Sequence, residues 1–257
     1  MAAGRLVIVE EGVFAVAPVL EHDRWGYWMG ATLTAPNSFL SHRSGAGAWG
    51  CWGLDPELVT VTRHGSGGPR RHGRILAYRS SVLEGDCTTL RGIPITSPPR
   101  TLLDLARKVS ERGLARAVRE AIRLELTSVD ALGDALGRHR GRRGSRRLAL
   151  TIARYTGLPL ERARSGAEIR ALEILRAAGR KLPNLNHRIA GEEADLSWPA
   201  SQVIVEVDGG PFHLDRGEDD RKQARWESVG WSVRRVSADD VYERPRILLG
   251  LSPNVPQ

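Results

Sequence analysis

Residues 202–213, QVIVEVDGGPFH, constrain the fold more than any other stretch of the chain. Val203, Ile204, Val205 and Val207 make both faces of an extended segment apolar and β-branched, the pattern of a strand buried between two layers. Glu206 and Asp208 interrupt that run two residues apart, so on a strand both point to one face. An ionised carboxylate in such a setting is costly unless it is paired or coordinates a cation, so positive charge is expected on that face. The strand breaks at Gly209, Gly210 and Pro211, and His213 follows. Sites in α/β folds gather where strands end in loops, and three polar groups converge at this end.

The elements around this strand follow from periodicity and capping signals. Ser165 caps a helix to about residue 178, with Glu168 completing the S-x-x-E pattern of a capping box. Residues 187–190, 193–198 and 202–207 read as three strands joined by tight turns. A helix over 218–229 closed by Gly230, a strand over 231–236 and a helix over 238–249 capped by Ser237 complete the order α, β, β, β, α, β, α. A sheet with helices on both sides is the natural way to bury it. Asp195 falls on the middle strand. Its alternatives are a site beside Glu206 or a cross-strand pair with an arginine such as Arg188.

Upstream the elements are shorter. Residues 6–9 and 13–16 form a hairpin pattern, 25–33 is helix-compatible, and SHRSGAGAWG (41–50) reads as a cap followed by a small-residue helix. Strands are expected at 58–62, 75–78 and 93–95, with RHGSGGPRRHG as a flexible basic loop between the first two. Pro98 and Pro99 precede a helix with an apolar stripe at Leu102, Leu103, Leu105, Ala106 and Val109. An Arg-rich amphipathic helix over 111–126 and a helix capped by Thr127 or Ser128 come next. The run RHRGRRGSRR (138–147) is the densest positive charge in the chain. Its arginines Arg142, Arg143, Arg146 and Arg147 either lie along phosphates or form a solvated linker, and both readings stay open. The expected division is a small mixed α+β domain over 1–106, a basic helical linker over 107–160 and an α/β domain over 161–257.

With 38 Lys and Arg against 30 Asp and Glu, the chain carries a net charge of +8, which points to a polyanionic partner and to nucleic acid before membrane. Lysine occurs only at Lys108, Lys181 and Lys222, so arginine carries nearly all of that charge, as it does in proteins of GC-rich genomes. Cys51 and Cys87 lack metal-ligand or disulfide-framework spacing, and a reducing cytoplasm is expected. No apolar run approaches a membrane span, and acidic residues interrupt the start where a signal peptide is apolar.

The segments ADLSW (194–198), VEVDG (205–209), Phe212-His213, DDR (219–221) and GWSVRR (230–235) resemble the PD-(D/E)xK nuclease superfamily, whose fold is restriction-endonuclease-like. Within it they are similar to a domain family related to very-short-patch repair endonucleases. That resemblance covers about the last ninety residues and implies a restriction-endonuclease-like αβββαβα core. It implies Mg²⁺ or Mn²⁺ held by Asp195, Glu206 and Asp208, with Glu168 contributing, and phosphodiester hydrolysis of DNA. The position two after Glu206, lysine in the superfamily pattern, is Asp208. His213 then acts on the attacking water, and Arg221 and Lys222 supply the positive charge that the missing lysine does not.

In the first half, SHRSGAGAWG and PITSPPRTLLDLA (94–106) resemble the central domain of type IV abortive-infection antitoxins. The wing of that family's winged helix is similar to GRLVIVEEGVFAV (4–16), without the helices that precede it. The resemblance implies a cognate toxin as a partner and transcriptional autoregulation. Two functions follow: a metal-dependent endonuclease, or a non-catalytic DNA-binding regulator or antitoxin.

Overall fold

The computed structural model describes residues 6–10, 13–16, 28, 29, 31, 32, 37–53, 58–209 and 216–254. His213 lies outside them, as does most of the 25–33 segment. The chain is mixed α/β and divides into two units, Met1–Ala153 and Arg154–Gln257. Among the described residues, no helix is long and apolar enough to cross a membrane.

In the first unit, β1 (Leu6–Glu10) and β2 (Val13–Val16) pair antiparallel, the hairpin read from the sequence. A mixed six-stranded sheet follows, made of β3 (Ser38–Leu40), β4 (Val59–His64), β5 (Arg70–His72), β6 (Ile75–Ser80), β7 (Cys87–Leu90) and β8 (Ile93–Thr96). Its order is β5-β6-β4-β3-β8-β7, with β4–β6 and β3–β8 parallel. Strands β4, β6 and β8 sit where β-branched residues predict them. The expected basic loop instead contains β5, which turns back on β6 with Arg71 opposite Leu76 through Gly73, a residue with φ of 50°. Leu40, Val61 and Ile95 are wholly buried in the core of this sheet.

Helices α1 (His42–Ala48) and α2 (Pro98–Leu105) pack on each other. Three further helices, α3 (Glu111–Arg123), α4 (Val129–Arg138) and α5 (Ser145–Ile152), pack on α2. Ser110 and Ser128 cap α3 and α4 through the amides of Gly113 and Ala131. Leu114, Val118, Leu132 and Leu148 are fully buried, so the segment expected as a linker up to residue 153 is part of the first unit's core.

Arginines of the basic run fasten it. Arg147 donates to the carbonyls of Ala106, which caps α2, and of Val109 beyond it, at 2.6 and 2.8 Å. Arg142 pairs with Asp104 at 3.0 Å. Beneath them Arg100, with no exposure, bridges Asp104 and Asp86 at 3.0 and 2.9 Å.

The second unit follows the order read from the sequence. Helix α6 (Gly166–Ala177) precedes β9 (Asn184–Ile189), β10 (Glu192–Trp198) and β11 (Val203–Asp208). Then come α7 (Arg216–Ser228), β12 (Ser232–Ser237), α8 (Ala238–Glu243) and α9 (Pro245–Leu251). The strand order is β12-β11-β10-β9; β11 and β12 run parallel and the other pairs antiparallel. One long final helix was expected. It breaks at Arg244, because a residue before proline is pushed out of the helical region. Trp226 of α7 is fully buried against Ile189, Ala194 and Ile204, and its indole N–H donates to the Ile189 carbonyl at 3.1 Å. That contact fixes which face of β11 looks at α7.

Candidate functional site

The site begins where the β10–β11 ladder stops. The register pairs Leu196 with Val205 and does not continue, although the next opposed residues are Asp195 and Glu206. On the other side of β10, pairing with β9 skips the Asn186/Asp195 step, where Asn186 has φ of 48°. Side chains take over from the ladder at this point. The Asp195 amide donates to Glu206 Oε1 at 3.0 Å, and the Val207 amide donates to Asp195 Oδ2 at 2.7 Å. Each carboxylate thus closes an N–H of the opposite strand, which holds the two acids side by side with their backbones satisfied.

Helix α7 supplies the cation. Ile204 and Glu206 alternate onto one face of β11, and Ile204 meets Trp226. Lys222 lies one turn before Trp226, so it is carried over Glu206, with Nζ at 2.9 Å from Oε2 and 4.7 Å from the Trp226 ring centre. The Glu206 side chain is 8% exposed and that of Lys222 24%, so this is a largely desolvated pair.

Glu168 enters from the first turn of α6. Ser165 accepts from its amide at 3.1 Å, and Glu168 Oε2 accepts from the Arg164 amide and from Asn186 Nδ2, both at 2.9 Å. The Ser165 half of the S-x-x-E pattern is thus formed, whereas Glu168 takes the amide of Arg164, one residue before the cap, in place of that of Ser165. Glu168 also adds negative potential at Asp195. Burial first, then Glu206, push the Asp195 carboxyl up, and Glu168 adds to them; the Val207 amide and Lys222 pull the other way, leaving a pKa of about 7.

The remaining candidates fall elsewhere. Asp208 pairs with Arg235 at 3.1 Å, and the same guanidinium lies 3.5 Å from Asp219. The expected countercharge is thus present, from Lys222 for Glu206 and from Arg235 for Asp208. Arg188 stands opposite Glu193 in the β9–β10 register, two steps away from Asp195. Arg221 is exposed on α7. In the first unit Arg142 and Arg147 are engaged internally, whereas Arg143 and Arg146 are exposed. Sequence reasoning missed Asn186 and the role of Arg235. The asparagine's tolerance of positive φ was the one available hint.

Among the described residues, no group of three or more His, Cys, Asp or Glu is placed to hold a metal ion. Asp195 and Glu206 nevertheless offer two oxygen donors, and Mg²⁺ is commonly held by one or two carboxylates with water completing its shell. Burial first, and the neighbouring carboxylates second, raise Asp195, and a divalent cation offsets both. In chemical type the donors fit such an ion.

No family model matches the chain. Two proteins of Mycobacterium tuberculosis, the uncharacterized protein MT2308 of strain CDC 1551 / Oshkosh and the uncharacterized protein Rv2248 of strain ATCC 25618 / H37Rv, are similar to it. Each is 26% identical over 160 residues, covering 58% of this chain and 57% of its own length. The chain therefore spans a little over half of these relatives.

Proposed function

We propose that the second unit is a restriction-endonuclease-like module that hydrolyses phosphodiester bonds in DNA with the help of Mg²⁺ or Mn²⁺. In this reading Asp195 and Glu206 hold the ion, and Lys222 takes the place of the lysine that Asp208 replaces. The observation that carries it is the reciprocal clasp of Asp195 and Glu206, with Asp195 pushed up to about 7 and a lysine 2.9 Å from its partner. Two crowded carboxylates and an ammonium at the end of a buried strand make a weak structural device and a good cation site. The order α, β, β, β, α, β and a split final helix agrees with the architecture implied by the sequence resemblance.

Each residue has a task. Glu206 offers Oε1 and Oε2 between the Asp195 amide and Lys222, which fixes its carboxylate plane. Asp195 holds a proton for part of the time at neutral pH and gives it up when a cation enters. Lys222, anchored on Trp226, holds positive charge beside Glu206. When bound, the ion supplies an acidified water and neutralises charge on the phosphate. The first unit is assigned the antitoxin-like role, contacting DNA or a cognate toxin.

Purified protein incubated with plasmid DNA and Mg²⁺ or Mn²⁺, beside Asp195→Ala, tests this reading. Cleavage that disappears in the variant supports it; no cleavage by either, with both ions, refutes catalysis. A second reading is favoured by the ion pairs already made by Glu206 and Asp208: a DNA-binding regulator whose carboxylates are structural. It predicts duplex binding with steep salt dependence and no cutting.

A further inference from the structure

The first unit contains a cavity of about 320 Å³ bordered by β4, β6, the C-terminal end of α2 and the turn before α5. Four guanidinium groups line it, those of Arg79, Arg107, Arg142 and Arg143, against one carboxylate, Asp104. That carboxylate is spoken for: it is 3% exposed and accepts from Arg100 Nε and Arg142 Nη2, both at 3.0 Å. Arg142 is held in place by the same bond and by Ser80 Oγ at 3.2 Å. Arg79 donates to the Ser66 carbonyl at 2.8 Å and stands opposite Arg63 in the sheet, with no acid in the register to offset either. Arg107 and Arg143 make no hydrogen bond or ion pair among the described residues. The wall therefore holds several positive charges with a neutralised floor.

His42 adds an imidazole to the lining. Thr62 donates to Ser41 Oγ at 2.8 Å, and the Ser41 hydroxyl is hydrogen-bonded to His42 Nδ1 at 2.9 Å. The ring stacks on Tyr78 with centres 3.9 Å apart and lines the cavity. Burial, reinforced by Lys108, Arg100 and Arg142 and opposed by Asp104, holds its pKa down at about 4, so it is neutral at physiological pH. The residue also sits at φ of 51°, a backbone strain of the sort that functional sites retain.

We infer that this cavity is a phosphate site that takes the terminal phosphate of a nucleotide or of a nucleic-acid strand. Arginines arriving from three separate elements, with a neutral imidazole in the same lining, match a multi-oxygen dianion better than a carboxylate with two oxygens. A cavity near the ~300 Å³ lower bound of small-ligand pockets suits an end group rather than a through-running backbone. The inference does not depend on the carboxylate site and needs no metal.

The test is calorimetric titration of the whole chain in EDTA-containing buffer. The probes are inorganic phosphate, 5′-dTMP, and a short single-stranded DNA with and without a 5′-phosphate. Saturable phosphate binding is expected, weakened about tenfold or more in the double variant Arg107→Ser, Arg143→Ser. Both of those residues are exposed, so the buried network is left intact. Arg146→Ser, an exposed charge outside the cavity lining, should bind as the wild type does. Binding of dTMP with no preference for phosphorylated DNA identifies a free nucleotide; preference for the phosphorylated strand identifies a strand end. The inference is overturned if phosphate shows no saturable binding, if the double variant binds it unchanged, or if Arg146→Ser loses as much. It also fails if dTMP does not bind and the two strands bind alike.

Discussion

Replacing Asp195 with asparagine keeps the shape of the side chain and removes its ionisation, so the effect on stability should depend on pH. The ordinary carboxyl value is 3.8 and the folded value is about 7, so the folded state holds this proton more tightly than the unfolded chain does. The sign follows. Below about pH 4 both states are protonated and nothing is lost; between about pH 4 and 7 the unfolded chain ionises first and stability falls; above 7 the full cost is present. That cost is roughly 4 kcal/mol at 1.36 kcal/mol per decade of proton affinity. Asparagine escapes it, and its side-chain oxygen can still accept from the Val207 amide. Asp195→Asn should therefore lie within about 1 kcal/mol of wild type near pH 4 and be more stable by roughly 4 kcal/mol near pH 8. Urea unfolding at several pH values, followed by hydrogen exchange on peptides from β11, reads the second unit by itself. A variant less stable by the same amount at every pH would mean that Asp195 is an ordinary ionised acceptor, and the crowded-carboxylate account would be wrong.

Lys222→Met strips Glu206 of its cation while keeping contact with Trp226, and should cost roughly 3 kcal/mol at neutral pH, measured by the same urea titration. Arg147→Ala leaves the Ala106 and Val109 carbonyls without their donor and should cost about 2 kcal/mol of the first unit's stability, whereas Arg146→Ala should stay within about 0.5 kcal/mol; thermal melts of the two variants would separate a structural role from a phosphate-tracking run. Gly144 has φ of 101°, and a Cβ there would meet Arg107 Cγ at 2.9 Å and the Leu103 carbonyl at 3.0 Å. Gly144→Ala should therefore destabilise the start of α5 by about 2 kcal/mol, seen as faster amide exchange along that helix.

The parts legible in the sequence were those set by local pattern. The run VIVEVD announces β11, and Ser165, Ser128 and Ser237 cap their helices through the amides of Glu168, Ala131 and Asp240. Even the clasp of Asp195 with Glu206 follows from strand order, since the acids lie on neighbouring antiparallel strands. What was illegible depended on partners distant in the chain. Arg142 finds Asp104 and Arg147 finds Ala106, 38 and 41 residues away, which turns an apparent linker into part of a core. The three-residue strands β3 and β5 are too short for a period to register, and β5 is built of Arg and His. Asp208 read as a third member of the site because it shares a face with Glu206. Arg235 on the neighbouring strand pairs with it instead, and no sequence rule told Arg235 from Arg234.

The most direct test of the central claim is calorimetric titration of Mn²⁺ into wild type and Asp195→Asn near pH 7, repeated in buffers of different ionisation enthalpy to count protons. One saturable site in the wild type, releasing about half a proton per ion because Asp195 is then half-protonated, is expected, with binding weakened and the release abolished in the variant. Wild-type protein that binds no Mn²⁺ saturably, or that binds it as the variant does with no proton released, would contradict the assignment of Asp195 and Glu206 as the cation site.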